Sequence, residues 1–297
     1  MARASPPTRR VAAVLAAIVS EPGHLMTLAE ISKRTQVSKA TALGILNELA
    51  AAGWLDRDPV TKAFRPGPSM LAAGAAAQES FASIGLAREP LNRLAQTTGL
   101  PCTLSAVVGG HVTVLARADA DRRGTPAFRV GQRYPFAPPS GVMFVAWEDE
   151  ATVEEWLLRE PLSPLRPDPA GLRAVVAVCR ANGYLVVGLG ERSAGLYALL
   201  AELDDDQLLG RLGDLLNQTM PAEVQPYLVD PVRPADSYDV SLACAPAFNR
   251  NGRMEFLVSV LLMRPAVRGT DLAGHIAQLT DTATGLTLQL GGRNPWM

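Results

Sequence analysis

Polar side chains that can recognise a base or a phosphate follow one another early in the chain. Lys39, Thr41 and Asn47 fall on one face of a predicted helix, opposite three leucines at positions 43, 46 and 49. A lysine ammonium can bind phosphate or guanine, a threonine can contact a thymine methyl group, and an asparagine amide can pair with adenine through two hydrogen bonds. These residue types indicate readout of double-stranded DNA; the alternative is an ordinary solvated helix face.

The elements that must position these side chains have the pattern of a helix-turn-helix. Thr27 and Glu30 have the spacing of a capping box, which predicts a helix through Thr35. A polar turn, 36–38, leads into a second helix from Lys39 to about residue 52, which Gly53 can end in a left-handed conformation. Apolar residues at positions 11, 14, 15 and 18 predict a supporting helix upstream.

A short strand pair is predicted directly after the second helix. Residues 54–55 and 63–65 read as strands, and the polar segment 56–62 between them contains Pro59. This strand pair forms a wing, which argues against the alternative that the helices belong to any small helical domain. The predicted DNA-contacting residues are Ser38, Lys39, Ala40, Thr41, Gly44, Asn47, Arg57 and Lys62.

The composition predicts a globular protein of two domains that is not an enzyme. A chain of 297 residues, 48% of them hydrophobic, is long enough for two ordinary cores. No segment approaches about 20 apolar residues, and no signal core follows the N-terminus, so we expect a cytoplasmic protein. The three cysteines fit no metal-binding spacing and are expected to be small buried residues. The three histidines have no partner at a spacing typical of a metal or catalytic site, and the sequence contains none of the common catalytic motifs. We therefore expect neither a metal nor a cofactor.

Charge is distributed unevenly along the chain. The net charge of -1 divides into +4 for residues 1–68 and -5 for the remainder. A basic end and an acidic body suit a protein that places only one domain on nucleic-acid phosphates.

The predicted order of domains is a winged helix-turn-helix at 1–68, a helical linker at 69–98 and a larger domain at 99–297. In the linker, Ser69 could cap the first helix. The larger domain shows hairpins around Gly109-Gly110 and around 249–252, separated by helical segments. Alternating hairpins and helices predict an α+β domain with an antiparallel sheet.

An acidic, leucine-rich insert occupies about 196–232. Asp204–Asp206 could start a helix that carries leucines up to position 216. This helix is interpreted as a cover over the domain, and the alternative is a subunit contact or a pocket lid.

Several segments together carry a resemblance to a known family. They are TLAEISKRT (27–35), SKATALGILNELAAAGWLDRD (38–58), MLAAG (70–74), LAQTTGLPCTLSAVVGGHVTVLARAD (94–119), YPFAPPSG (134–141), NGY (182–184) and CAPAFNRNGRMEFLVSV (244–260). The chain resembles the IclR family of bacterial transcriptional regulators. The resemblance implies a winged helix-turn-helix joined by a helix to a GAF/profilin-like effector-binding domain. It also implies dimers or tetramers that bind palindromic operators and respond to small organic ligands, more often as repressors than as activators.

The chain departs from the family pattern at positions that matter for DNA binding and for effector binding. Gly44 stands where relatives usually carry a basic residue, and Leu242 and Leu261 stand where small polar side chains would reach a carboxylate. The effector is therefore expected to be larger and less charged than a keto acid. The resemblance places the effector-binding residues at Phe136, Ser140, Gly141, Leu189, Leu242, Ser259 and Leu261. The alternatives are a second domain that senses nothing and a protein-interaction module.

Overall fold

The chain divides into two compact units, residues 1–82 and residues 83–297. The computed structural model describes residues 5–20, 23–80, 82–120, 128–159, 168–189, 227–228 and 230–295. The division falls inside the predicted linker, whose exact bounds stay a prediction. Among the described helices, none has the length and apolar character needed to cross a membrane.

The first unit is a small helical domain with a two-stranded wing. Its elements are α1 (Pro6–Val19), α2 (Leu28–Thr35), α3 (Lys39–Ala51), β1 (Leu55–Arg57), β2 (Phe64–Pro66) and α4 (Pro68–Ser80). The strands β1 and β2 are antiparallel. The core holds Val14, Ile18, Met26, Ile31, Leu46, Leu55 and Phe64. The predicted order of helices and wing is confirmed.

Local capping explains where the helices of this unit begin and end. Thr27 and Glu30 form the predicted capping box at the start of α2, and Ser38 accepts the backbone N–H of Thr41 at the start of α3. Gly53, with φ of 74°, follows the last residues of α3. Because each cap satisfies a backbone group that the helix leaves unpaired, the sequence signals were sufficient to place these ends.

Two expectations for this unit need correction. Ala42, rather than Leu43, shares the buried face of α3 with Leu46, and Leu43 is half-buried. Ser69 does not cap α4, because the helix already begins at Pro68. Its hydroxyl instead donates to the carbonyl oxygen of Ala52 at 3.1 Å, so it satisfies the end of α3.

The second unit is an antiparallel sheet with helices on both faces. Its elements are α5 (Ala82–Thr98), β3 (Cys102–Val108), β4 (His111–Ala118), β5 (Arg133–Pro135), α6 (Val142–Val145), α7 (Glu150–Leu157), α8 (Pro169–Asn182), β6 (Leu185–Gly188), β7 (Tyr227–Leu228), β8 (Ser237–Phe248), β9 (Met254–Arg268) and α9 (Gly269–Gln289). The strand order is β5-β4-β3-β9-β8-β6-β7, and neighbouring strands are antiparallel throughout. The predicted fold class is confirmed.

Alternation along the strands separates two buried faces. The first face packs against α5 and α9 and includes Leu104, Val258, Val260 and Leu262. The second face packs against α6, α7 and α8 and includes Leu185, Val187 and Cys244. Since successive side chains of a strand point to opposite faces, the residues between those of the first face belong to the second.

Three features of the second unit add detail to the predicted hairpins and helices. The segment 129–139 contributes only the short strand β5. Strand β9, which follows the turn at 249–252, runs to Arg268 and contains two non-glycine residues with positive φ, Met263 and Ala266. Of the predicted insert, residues 196–226 and 229, and with them the predicted covering helix, lie outside the described residues, while Tyr227–Leu228 forms the edge strand β7.

Candidate nucleic-acid interface and ligand-binding face

The outer face of α3 presents the predicted polar set to solvent. Lys39, Ala40, Thr41, Gly44 and Asn47 are all exposed. They therefore lie opposite the buried Leu46, as the helical spacing predicts, and their contact with DNA stays a prediction.

Ser38 has a positioning role at the start of this helix. Its oxygen accepts the N–H of Thr41 at 3.2 Å, and its hydroxyl donates to Thr41 Oγ1 at 2.9 Å. Because Thr41 accepts this hydrogen bond, the hydrogen of its own hydroxyl remains available for an acceptor on a base or a phosphate.

The tip of the wing is held by Asp58. Its Oδ1 accepts the N–H groups of Val60 at 3.0 Å and Thr61 at 2.6 Å, and also the Thr61 hydroxyl at 2.9 Å. The bonds from Thr61 lower the pKa of the Asp58 carboxyl, because they stabilise its charged form. The wing therefore presents a fixed loop conformation rather than an unstructured turn.

The two predicted wing cations rest against the wing itself. The guanidinium of Arg57 lies 5.3 Å from the centroid of the Phe64 ring, and its Nε donates to the carbonyl oxygen of Lys62 at 3.4 Å. The Lys62 ammonium donates to the carbonyl oxygen of Pro59 at 2.7 Å. An ammonium has three donors, so two remain for phosphate.

A depression of about 330 Å³ brings the predicted helix and wing residues together. Of the residues that the structure describes, no acidic one lines this depression, whereas three cationic side chains do. The lining residues are Thr27, Leu28, Ala29, Lys39, Leu43, Arg57, Thr61 and Lys62. A concave surface with positive charge at the start of a predicted recognition helix favours a phosphate backbone.

Gly44 leaves open space on the exposed face of α3. A Cβ built on this glycine meets nothing within 4 Å. The fold therefore does not require a glycine here, and a glycine inside a helix costs roughly 0.5–1 kcal/mol relative to alanine.

The predicted effector-binding residues fall into two groups in the second unit. Phe136 and Gly141 touch, because a Cβ on Gly141 would lie 2.5 Å from a ring carbon of Phe136. Leu242 and Leu261 are cross-strand partners in β8 and β9.

One hydrophobic cluster joins the two groups. Phe136 and Leu242 both pack against the cluster on the second face of the sheet. Half-buried Ser140 lies in the loop after Phe136, and buried Leu189 follows β6. Among the described residues, neither Ser140 nor Leu189 belongs to this cluster.

Sequence reasoning identified one member of a set of buried hydroxyls and missed the others. Ser259 of β9 is the direct cross-strand partner of Thr103 in β3, and Ser105 lies two residues further along β3 on the same face. Their relative exposures are 4%, 2% and 6%. Within the described ranges these three hydroxyls have no hydrogen-bond partner, but none of their oxygens is among the polar atoms that are sealed from water and unpaired. Period-two alternation along β3 was the signal that could have found Thr103 and Ser105.

Largely buried hydroxyls that lack a partner among the described residues can bind a polar ligand on the second face. A ligand that accepts or donates hydrogen bonds would pair with these oxygens. The surroundings are apolar, with Leu257 and Leu242 on the same face. This combination is typical of a small-molecule site.

The cysteines are confirmed as buried, unbridged residues. Burial raises the pKa of the Cys179 thiol to about 12 and raises that of Cys244 as well, so both thiols stay protonated and unreactive near neutral pH. Tyr227 beside them donates its hydroxyl to the carbonyl oxygen of Pro139 at 3.0 Å, which ties β7 to the loop before α6. No cluster of metal-ligating side chains occurs among the described residues.

Family models match both units of the chain. Residues 5–62 match a model of the MarR family. Residues 78–201 match the model described as bacterial transcriptional regulator IclR C-terminal.

Individual relatives agree with these matches. The HTH-type transcriptional regulator BhcR of Paracoccus denitrificans (strain Pd 1222) is 28% identical over 185 residues, which cover 61% of this chain and 66% of the relative. The chain thus spans about two thirds of the length of that relative. The matched proteins are transcriptional regulators, not enzymes, which agrees with the expectation from the motifs.

Solved structures share the fold. An IclR transcriptional regulator from Alicyclobacillus acidocaldarius superposes with a TM-score of 0.61 at 22% identity, covering 96% of this chain and 99% of that chain. An IclR homologue from Microbacterium hydrocarbonoxydans, complexed with 4-hydroxybenzoate, also gives a TM-score of 0.61, at 19% identity, with 96% and 99% covered. At these identities the likeness shows the fold alone.

Proposed function

We propose that this chain, an IclR-type transcriptional regulator with a DNA-binding unit and an effector-binding domain, represses transcription from a palindromic operator. The protein releases that operator when a small organic effector binds. The observation that carries the DNA part is the acid-free depression lined by Lys39, Arg57 and Lys62. The proposed place of action is the cytoplasm.

DNA recognition is proposed to use the exposed face of α3 in the major groove. Lys39 would hold a phosphate, while Thr41 and Asn47 would reach base edges. Arg57 and Lys62 would contact the backbone or the minor groove beside it. Two such units in a dimer would read half-sites roughly 34 Å apart.

A second copy of the chain is the proposed partner of α4. Residues 71–77 of this helix are all exposed although they are almost entirely apolar, and Leu71 is 78% exposed. Helices shorter than about 12–15 residues are marginal in water without packing. Pairing α4 with its copy in a dimer would bury this surface; a tetramer would need a further interface.

The effector is proposed to bind on the second face of the sheet. Thr103, Ser105 and Ser259 supply hydroxyls, while Leu242 and Leu257 supply apolar walls. Such walls favour a ligand with a substantial apolar body and few polar groups. The solved relative that holds 4-hydroxybenzoate supports an aromatic ligand of this kind.

Selection of bound sequences from a random duplex pool, at two salt concentrations, tests the DNA part. We expect a palindrome to be enriched and its affinity to fall steeply as salt rises. Weak binding that is indifferent to sequence would refute the operator. The alternative of a protein-interaction module would then lead, because it predicts no salt-sensitive affinity for DNA.

Anisotropy of the labelled operator tests the effector part. The bound complex is titrated with phenols and aromatic acids, and release at a saturating concentration is expected for at least one of them. If none of them changes operator affinity although the protein binds DNA specifically, the alternative of a second domain that senses nothing is favoured.

A further inference from the structure

A second cavity opens on the first face of the sheet, away from the buried hydroxyls. Its volume is about 360 Å³, within the range of small-molecule sites. The lining residues are Leu100, Leu262, Arg264, Pro265, Ala266, Val267, Arg268, Asp271 and His275. Leu100 and Leu262 belong to the cluster that packs against α5 and α9, so this cavity is separated from Ser259 by the sheet.

Among the described residues, the charges around this cavity leave one guanidinium, that of Arg264, without a partner. Arg268 and Asp271 neutralise each other through hydrogen bonds of 2.9 and 3.2 Å. Arg264 has neither a hydrogen-bond nor an ion-pair partner in the described part of the chain. The described lining residues therefore give the cavity a net positive charge, to which the N-terminal end of α9 adds.

The backbone gives the end of β9 an unusual shape at this cavity. Met263 and Ala266, on either side of Arg264 and Pro265, have φ of 47° and 50°, which non-glycine residues rarely adopt. A hydrogen bond of 2.8 Å from the Ala266 N–H to Asp239 Oδ1 holds the second of these. Strained backbone persists where the surroundings fix it, and it concentrates at ligand sites.

We propose that this cavity is a second ligand site that takes a small organic carboxylate, with the carboxylate on Arg264 and the apolar body against Leu100 and Leu262. The planar guanidinium fork of an arginine matches a carboxylate through two parallel hydrogen bonds. The leucine side chains give an organic body an advantage over an inorganic anion of equal charge. This site does not depend on the effector site on the second face.

His275 makes binding at this site sensitive to pH. The pKa of its imidazole is lowered, mainly by burial; Asp271 on the same helix opposes this shift and Arg264 from β9 adds to it. The remaining cation, Arg268, is ion-paired with Asp271. A bound carboxylate stabilises the imidazolium, so binding takes up a proton. Affinity is therefore expected to rise as pH falls through the pKa of His275.

Benzoate is the probe that tests this site, with benzamide and inorganic phosphate as comparisons. The full chain carries three histidines, so ¹³C labelling of the imidazole Cε1 gives three resonances, and His275→Gln assigns one of them. We expect benzoate to shift the His275 resonance saturably and to raise its apparent pKa. Benzamide should give no saturable shift, and phosphate should bind more weakly than benzoate. Phosphate binding as tightly as benzoate would overturn the assignment to an organic carboxylate.

Three variants separate this site from the rest of the molecule. Arg264→Gln should weaken benzoate binding roughly 10-fold or more, whereas Arg253→Gln, a matched loss of an exposed arginine at the other end of β9, should not. Ser259→Ala should leave the His275 response intact. If Arg264→Gln behaves like Arg253→Gln while thermal unfolding shows both to be folded, or if Ser259→Ala removes the response, the second site does not exist.

Discussion

Lys39 occupies a position that is unfavourable for the helix it begins. It is the first residue of α3, and no acidic residue lies in that first turn. A cation near a helix N-terminus is destabilising by about 0.3–1 kcal/mol. The ammonium also has no ion-pair partner in the described part of this unit. Lys39→Ala should therefore leave the fold intact, with unfolding free energy unchanged or raised by a few tenths of a kcal/mol.

The same substitution should weaken DNA binding in a salt-dependent way. One phosphate contact contributes about 0.9 to the slope of log affinity against log salt. A dimer that loses both lysines therefore loses about 1.8 from the slope. Between 50 and 200 mM salt, the affinity of the wild-type protein should fall roughly 12-fold more than that of the variant.

Lys33→Ala is the matched control for this experiment. It removes the same charge from an exposed position in the same unit, but Lys33 does not line the depression. Operator affinity is measured by anisotropy over a series of salt concentrations, and unfolding by circular dichroism. Equal slopes for the two variants would refute a local phosphate contact at Lys39. Unfolding of Lys39→Ala would show that the side chain is structural and that the orientation of α3 is wrong.

Three further predictions concern the helix caps, the recognition face and the ligand. Gly44→Ala should raise the thermal midpoint of the first unit by several degrees, since alanine gains roughly 1 kcal/mol in an open helical position. It should weaken operator binding if α3 approaches DNA closely there. Gly85→Ala, at an equally open position on α5, should leave operator binding unchanged. Glu30→Gln should flatten the acid-unfolding curve seen by circular dichroism. The backbone hydrogen bond from Thr27 lowers the pKa of Glu30 below 4.5. The stability that the carboxylate contributes is therefore present above about pH 4.5 and is lost as pH falls through the lowered pKa. Ser259→Ala should weaken effector-induced release of the operator without changing operator affinity in the absence of effector, and an unchanged effector titration would show that this hydroxyl does not touch the ligand.

The sequence predicted the first unit well because its signals are local. The capping box at Thr27, the cap at Ser38 and the glycine after α3 each act within four residues, so their geometry follows from spacing alone. Ser69 was misassigned for the opposite reason. Its partner, the Ala52 carbonyl, is 17 residues away in sequence, and no local pattern shows that the end of α3 lacks a donor.

The ligand face was predicted only in part because it is assembled from distant strands. Thr103 and Ser259 are separated by more than 150 residues and meet through the β3–β9 register. A serine or threonine in an apolar strand does not by itself reveal whether it is exposed or buried. The family resemblance supplied Ser259, but only the register of the sheet brings Thr103 and Ser105 to it.

Strand β9 links both proposed ligand sites. Ser259 and Arg264 lie five residues apart on this strand, one beside the hydroxyls and the other in the second cavity. The ladder between β8 and β9 changes register between Val240 and Leu242, opposite this stretch, and such irregularities let a strand bend locally. A ligand shifts an equilibrium only by its different affinities for two arrangements. Coupling between the two sites therefore requires two arrangements of this stretch, and each ligand must then change the affinity of the other by the same factor.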